Sequence, residues 1–329
     1  MGEHGREVVA VEGGKTVWLC PGQGAQRVGM GKDLAERFPA AKETLGAIDA
    51  ALGFTLSKVM FEGPEDALTA TQNAQPAILA HSAAVYAVVT SKVHKVSGEG
   101  AVAAAGHSLG EYSAYVTAGA LTAPDAAKLV RRRGELMQQA GAARPGTMAA
   151  VLGLATAEVE AACRDASQPG SVAVAANLNA PDQTVISGDP DAVARAGNGC
   201  KAKGAKRVIP LNVSGAFHSP LMAPAAQQFR AVLDAAPFRE PAIPVIANAT
   251  AEPVRDATNA RRLLTEQLTA PVRWVACMQQ AVELAGAGAR FIEIGPGNVL
   301  AGLLKRIVQG ANVVSLGTAD EVGKFLEAA

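Results

Sequence analysis

Ser108 stands in the run Gly106-His107-Ser108-Leu109-Gly110, after a small apolar stretch, Ala101 to Ala105, and before a helix-compatible stretch, Glu111 to Ala118. Gly-x-Ser-x-Gly between a strand and a helix is the pattern of a nucleophile elbow. The turn is so tight that side chains two residues either side of the serine would collide, hence the two glycines. The hydroxyl then sits at the helix start, where free backbone N–H groups favour developing negative charge. The plain alternative is an ordinary glycine-rich strand-to-helix turn.

A serine hydroxyl needs a base within hydrogen-bond reach. The histidines are His4, His81, His94, His107 and His218. His4 falls in the N-terminal stretch and His94 in a polar, glycine-containing linker. His107 adjoins Ser108, and neighbours at an elbow project in different directions. His81 sits among apolar residues of a helix, as a packed or partly exposed side chain would. His218 therefore leads, with His81 a distant second. No acid near His218 stands out as its orienter, and no histidine follows it, unlike the usual α/β-hydrolase order. This favours a serine–histidine dyad whose third group is an amide or a backbone carbonyl. The alternative for His218 is a buried loop histidine donating to a carbonyl.

Arg133 is the third residue of interest. Pro124-Asp125 opens a helix to about Gln139, and at about 100° per residue Ala126, Val130, Arg133 and Met137 share one stripe. Of the three consecutive arginines, Arg131 and Arg132 point well away and Arg133 alone lies on the apolar face. A buried guanidinium must meet an anion, so either an internal Asp or Glu or a substrate carboxylate is implied. Phase alone leaves both open.

The elements that must hold these residues alternate strand and helix. Thr16–Cys20 is a first strand, ending in Pro21-Gly22-Gln23-Gly24-Ala25-Gln26, a loop at a strand's carboxyl edge, where sites in open α/β sheets collect. A dinucleotide reading of that loop fails because Arg27 occupies the third glycine position. Gly63-Pro64-Glu65-Asp66 reads as a helix start with Pro64 at the first helical position, and Gln75-Pro76 as the start of a helix to about Lys92. From Gly146 the texture changes. Strands at 147–152, 172–177, 183–187 and 206–211 and helices at 157–165 and 189–203, with a turn at Asn179-Ala180-Pro181-Asp182, spell βαββαβ, the ferredoxin-like order. The chain returns through Asn212 to Pro220. It continues with helix 223–235, strand 245–247, helices 260–268 and 272–287, strand 290–294, and a last helix from Val299. The fold expected is α/β, a doubly wound, mostly parallel sheet with an inserted small domain. The divisions are a flexible tail at 1–15, a large domain at 16–143 and 213–329, and a small domain at 144–212.

Composition narrows the function. Thirty basic and thirty acidic residues cancel, so no net charge argues for nucleic acid or an anionic membrane. Four scattered cysteines, Cys20, Cys163, Cys200 and Cys277, suit a reducing compartment and offer no zinc site. The start lacks a signal-peptide core, Arg6 breaks a myristoylation pattern, and no apolar run approaches ~18 residues. A cytoplasmic, soluble protein is expected, with no metal and no cofactor.

With these residues in place, the chain resembles the malonyl-CoA:acyl-carrier-protein transacylase family, which includes the acyltransferase domains of fatty-acid and polyketide synthases. The resemblance spans about 16–315. It rests on Pro21-Gly-Gln-Gly-Ala-Gln26, Thr71-Gln-Asn-Ala-Gln-Pro76, Gly106-His-Ser-Leu-Gly-Glu111, Arg133-Gly134, Gly215-Ala-Phe-His-Ser-Pro220, Gln267 before Pro271-Val-Arg-Trp274, and Glu293-Ile-Gly-Pro-Gly297. It implies an α/β-hydrolase-like large domain with a ferredoxin-like insertion. It implies Ser108 as the acyl-accepting nucleophile and His218 as its base, and Gln23 with the Leu109 N–H as the oxyanion hole. Gln267 becomes the residue whose main-chain carbonyl orients the histidine. Arg133 binds the malonyl carboxylate, Phe217 marks the malonyl-selective form, and Met137 and His107 join them as acyl-binding candidates.

The implied reaction uses coenzyme A thioester as substrate: malonyl-CoA gives its acyl group to acyl carrier protein, for fatty-acid synthesis, in a protein expected to be a monomer. Lys201, Lys203, Lys206 and Arg207, with Arg131 and Arg132, are candidates to meet an acidic carrier. The alternatives are an acyltransferase of a polyketide or malonate-decarboxylase system, a serine thioesterase on the same elbow, and a non-catalytic acyl-CoA-binding subunit.

Overall fold

The computed structural model describes residues 15–92 and 100–328. The expected tail up to residue 14, with His4, and the linker carrying His94 lie outside the described residues. In chain order the elements are β1 (Thr16–Cys20), α1 (Lys32–Arg37), α2 (Pro39–Leu52), α3 (Leu56–Glu62), α4 (Glu65–Thr69), α5 (Thr71–Lys92), β2 (Ala101–Gly106), α6 (Gly110–Thr117) and α7 (Ala123–Ala143). Then come β3 (Thr147–Leu152), α8 (Thr156–Ala166), β4 (Ala173–Ala180), β5 (Gln183–Gly188), α9 (Pro190–Ala202) and β6 (Arg207–Pro210). A single 3-10 turn at Pro220–Met222 leads to α10 (Ala223–Asp234), β7 (Val245–Ile246), β8 (Pro253–Val254), α11 (Ala257–Glu266) and α12 (Trp274–Ala285). The chain closes with β9 (Arg290–Ile294), α13 (Val299–Ile307), β10 (Asn312–Leu316) and α14 (Ala319–Ala328).

Six strands form one sheet in the order β10-β9-β1-β2-β7-β8, parallel throughout except for the β7–β8 pair. Side chains alternate across it. Trp18 and Cys20 of β1 and Ala104 of β2 face a core shared with α2, α5, α6 and α7, while Val17, Leu19, Ala103 and Ala105 face a second core shared with α12 and α13. Burial on both faces explains the continuous apolar runs of these strands, the mark of a doubly wound sheet. Because the strands are parallel, the chain leaves β1, β2 and β7 at the same edge, and the site is built there. The second sheet, β4-β5-β3-β6, is antiparallel, which is the ferredoxin-like order, and packs its own apolar cluster against α8 and α9. Val272 joins it to the rest: the Leu178 N–H donates to the Val272 carbonyl at 2.9 Å and the Val272 N–H to the Ala176 carbonyl at 2.8 Å.

Several elements differ from the sequence expectations. The expected start at Gln75-Pro76 is interior: α5 begins at Thr71 and Pro76 lies within it. Proline leaves the carbonyl of Gln72 without its helical donor, and Arg131 Nη1 supplies one at 3.3 Å. Arg131 therefore does not point away. It reaches α5 and also pairs with Glu135 at 2.8 Å. Pro64 caps α4 from outside instead of occupying its first position. The turn expected at 179–182 shrinks to Pro181-Asp182, because β4 continues through Ala180 in a bulged register against β5. The helix from Val299 is not the last, since β10 and α14 follow it, and α1 to α3 were not foreseen.

The elbow explains its glycines sterically. A Cβ on Gly106 would sit 1.9 Å from the Gly110 carbonyl oxygen, and one on Gly110 would sit 2.1 Å from that of Cys20. This close approach presses the end of β1 against the start of α6 and brings the Gln23 loop beside Ser108. Gly110→Ala is therefore expected to force the two segments apart, at about 1–3 kcal/mol of stability. Urea denaturation would check it, and an unchanged midpoint would contradict the steric account.

Candidate active site

Ser108 occupies the left-handed region, with φ 54°, as does His218, with φ 56°. A non-glycine residue in this region costs of order 1–3 kcal/mol and persists only where its surroundings over-determine it. Both are so determined. The Ser108 N–H donates to Asn248 Oδ1 at 2.7 Å. Ser108 Oγ lies 2.7 Å from His218 Nε2, and His218 Nδ1 lies 2.8 Å from the Gln267 carbonyl oxygen. A carbonyl only accepts, so Nδ1 carries the proton and Nε2 is the free base facing the hydroxyl. The orienting group is thus a backbone carbonyl and not an acid.

Arg133 is 1% exposed. Its Nη1 donates to Gln75 Oε1 at 2.8 Å, and its Nη2 donates to Gln267 Oε1 at 2.8 Å and to Ser108 Oγ at 3.1 Å. Its guanidinium lies 5.6 Å from the Tyr112 ring centroid. Among the described residues no carboxylate forms an ion pair with it, whereas Arg131 and Arg132 both pair with Glu135. Of the two sequence alternatives, an internal Asp or Glu is therefore not what Arg133 meets. Gly134 lets its helix lie against α5, since a Cβ there would meet the Thr71 carbonyl oxygen at 2.8 Å.

These groups open into a cavity of about 430 Å³ lined by Gln23, Leu109, Met137, Phe217, Met148 and Leu211, among others. Met137 and Phe217 are buried in its wall. Among the described residues neither the Gln23 nor the Leu109 backbone N–H donates to another group, while the Gln23 side chain reaches Thr71 Oγ1 at 3.4 Å. His107 also borders the cavity, but its Nε2 is 2.8 Å from Asn179 Oδ1 and its ring leans on Trp274. It holds β4 to the elbow and does not compete for the Ser108 hydroxyl. His81 is buried at 1% exposure and remote from this cavity. A larger hollow of about 790 Å³ between α1, α2 and α3 contains none of the predicted site residues.

Residues the sequence reading did not single out complete the site. Gln75, at the expected helix start, is the buried acceptor of Arg133. Asn248, fully buried, joins the elbow by both ends of its amide, with Nδ2 donating to the Gly106 carbonyl at 2.8 Å. The usable signal was its position at the carboxyl end of β7, beside β2. Asn179, expected in a turn, lies instead in a strand.

Burial, then the charge of Arg133, push the His218 imidazole down to about 3, partly offset by its bond to the Gln267 carbonyl. Glu111, 0% exposed, is raised to about 7 by burial, against the pull of the Asn248 N–H, the Gln267 amide and Arg133. His218 is therefore a neutral base throughout the physiological range.

The pattern of the acyl transferase domain matches residues 17–326. A malonyl CoA-acyl carrier protein transacylase of Bacillus subtilis (strain 168) is 42% identical over 308 residues, covering 94% of this chain and 95% of that protein. One from Escherichia coli (strain K12) is 40% identical over 311 residues, covering 94% and 98%. The crystal structure of an acyl-carrier-protein-S-malonyltransferase from Bartonella henselae matches with a TM-score of 0.90 at 40% identity, covering 95% of this chain and 98% of that one. A malonyl-transacylase solved in complex with its type II polyketide acyl carrier protein gives a TM-score of 0.89 at 39% identity, covering 96% and 100%.

A depressed histidine pKa has a definite sign. The unfolded chain binds a proton that the folded one refuses, so the His218 contribution to stability is present above the ordinary value of 6.5 and is lost as pH falls from there toward about 3. The ring-proton resonance of His218 is expected to stay at its neutral position from about pH 8 down to about pH 5. A titration step near 6.5 would contradict the burial and charge assigned to it.

Proposed function

The chain belongs to the acyl transferase domain family, and from that premise we propose that it transfers a malonyl group from malonyl-CoA to the pantetheine thiol of acyl carrier protein, through a malonyl-serine intermediate, for fatty-acid synthesis. The observation that carries this reading is the buried guanidinium of Arg133, without an ion pair among the described residues and 3.1 Å from the Ser108 oxygen. Such a group binds an acyl chain ending in a carboxylate, with two parallel charge-assisted hydrogen bonds that a lysine cannot reproduce.

The reaction runs in two halves. His218 Nε2 takes the Ser108 proton as Oγ attacks the thioester carbon, and the Gln23 and Leu109 N–H groups receive the oxyanion, where one such donor is worth about 2.7–4 kcal/mol. The C–S bond breaks, and the coenzyme A sulfur leaves with the proton from His218. The carrier's thiol then gives its proton to His218, its sulfur attacks the ester carbon, and Ser108 Oγ leaves and recovers the proton. Phe217 and Met137 wall the acyl chain. His107 borders the same cavity.

We place this chemistry in a large domain of 16–143 and 213–329. The ferredoxin-like segment 144–212 supplies Met148, Asn177 and Leu211 to the cavity, which supports its role as the second wall. Exposed Lys206 and Arg207 on that segment are the basic groups we assign to the acidic carrier, whereas Lys203 is held by Glu158 at 3.0 Å. Four free, buried cysteines support a reducing, cytoplasmic setting, and we take the working unit as a monomer. The relative solved with a type II polyketide carrier protein favours one second reading, in which the same transfer serves that kind of carrier.

Mass spectrometry after brief exposure to malonyl-CoA tests the reading. A single malonyl adduct is expected on the wild-type chain and none on Ser108→Ala; an adduct persisting on that variant would place the nucleophile elsewhere. Arg133→Ala is expected to lower kcat/KM for malonyl transfer about 100-fold, the worth of a buried charged hydrogen-bond pair. Acetyl transfer should hold or rise. Equal loss of both would make Arg133 a structural residue.

A further inference from the structure

Behind the face formed by Ser108, His218 and Arg133 lies a carboxylate that none of those steps uses. Glu111 lies in the first turn of α6, three residues after the nucleophile, and is 0% exposed. Among the described residues no cation pairs with it. Its Oε2 accepts twice, from the Asn248 N–H at 3.0 Å and from Gln267 Nε2 at 2.7 Å, and its Oε1 has no partner.

Each of those two donors carries half of the machinery. Asn248 holds the elbow, accepting from the Ser108 N–H and donating to the Gly106 carbonyl. Gln267 holds the base through its backbone carbonyl and the arginine through its side-chain oxygen, and its Nε2 also donates to the Ser108 carbonyl at 3.0 Å. We propose that Glu111 is a positioning residue: one carboxylate oxygen clamps Asn248 and Gln267 together and so keeps nucleophile, base and carboxylate-binding arginine in one register. The proposal deepens the malonyl-transfer reading and rests on it.

The argument for a charge at this place concerns the Gln267 amide. Its two ends are nearly the same shape, so packing alone does not choose between the orientations. In the observed orientation Oε1 faces the Arg133 cation, while Nε2 faces Glu111, ionised above about pH 7, and the Ser108 carbonyl. Rotation by a half turn would set N–H groups against the guanidinium and the amide oxygen against a carboxylate and a carbonyl. All three bonds would be lost, and three contacts of like polarity would replace them. With Glu111 ionised, opposite charges on its two sides thus fix the amide, and with it the residue whose carbonyl aims His218. A buried carboxylate with an idle oxygen is a poor choice for stability alone. A group kept at such a cost beside a nucleophile is better explained by the geometry that it enforces.

The test is a double-mutant cycle on kcat and KM with malonyl-CoA and acetyl-CoA, using the full-length enzyme and counting active sites by the Ser108 adduct. Glu111→Gln retains size and one acceptor but removes the charge. Its kcat per labelled site is expected to fall about 10- to 100-fold with both acyl groups, the scale of coupling within one hydrogen-bond network. KM should rise for malonyl-CoA only, because only that substrate uses Arg133. Glu111→Gln combined with Gln267→Ala should be no slower than Gln267→Ala alone. If Glu111→Gln does not fold, the same cycle is run with Glu111→Asp, which retains the charge and withdraws it by one methylene. Losses that multiply, or an unchanged kcat per labelled site, overturn the clamp. A wild-type chain that takes no malonyl adduct on Ser108 overturns the underlying reading instead, so the two failures are distinguishable.

Discussion

A guanidinium sealed from water and held, among the described residues, by neutral hydrogen-bond acceptors is the constraint on which this site depends. Desolvating Arg133 and leaving it without a counter-ion costs several kcal/mol by order of magnitude. The fold offsets part of that with the amide oxygens of Gln75 and Gln267 and the face of Tyr112. The cation, with no direct ion pair among the described residues, lies against the serine oxygen. It acts in two directions. After burial, the larger cause, it lowers the His218 pKa, and its Nη2 donates to Ser108 Oγ at 3.1 Å. A carboxylate seated on Arg133 would neutralise the cation and remove its pressure on the imidazole. The base would then strengthen when the acid-bearing acyl group is in place.

Two backbones bent into the left-handed region meet at this point, and the surroundings that hold them come from distant parts of the chain. Gly106 and Gly110 let the elbow close on β1, Asn248 ties it to β7, and Gln267 fixes the histidine from beyond α11. Because β1, β2 and β7 run parallel, their ends converge on one edge without any long-range adjustment of the strands. Strain at Ser108 and His218 is thus carried by a rigid frame, so little reorganisation is left for the reacting step.

How much of this was legible in the sequence followed from how local each cause was. Strands Thr16–Cys20, Thr147–Leu152 and Arg290–Ile294 were read to the residue, because short apolar runs bounded by turn residues determine their own ends. Ser108 was legible from its flanking glycines, and Arg133 from helical phase. His218 emerged by elimination, since the other histidines lacked a plausible path to the serine. What was missed depended on partners elsewhere. Pro76 sits inside α5 because Arg131, on another helix, supplies the missing donor. β4 runs on through Ala180 because β5 and Val272 pair with its length. The roles of Gln75, Asn248 and Asn179 are invisible locally, since an amide reads the same in a helix start or a turn as in a site.

That the residues around the arginine are amides and not acids is itself informative. Glutamate at position 75 or 267 would have nearly the same shape and would satisfy the guanidinium better, as an internal ion pair. The pocket would then be electrically closed, and a carboxylate-bearing acyl chain would meet no unbalanced charge and would face a repelling anion. Glutamine supplies the acceptor geometry without the countercharge. Among the described residues the nearby carboxylate, Glu111, shares the Gln267 amide with Arg133 and forms no direct ion pair with it. In the proposed reading, the arrangement gives up stability in exchange for selectivity toward an anionic acyl group. A site built for water as acceptor, or for an uncharged acyl chain, would have no physical reason to leave that arginine unpaired.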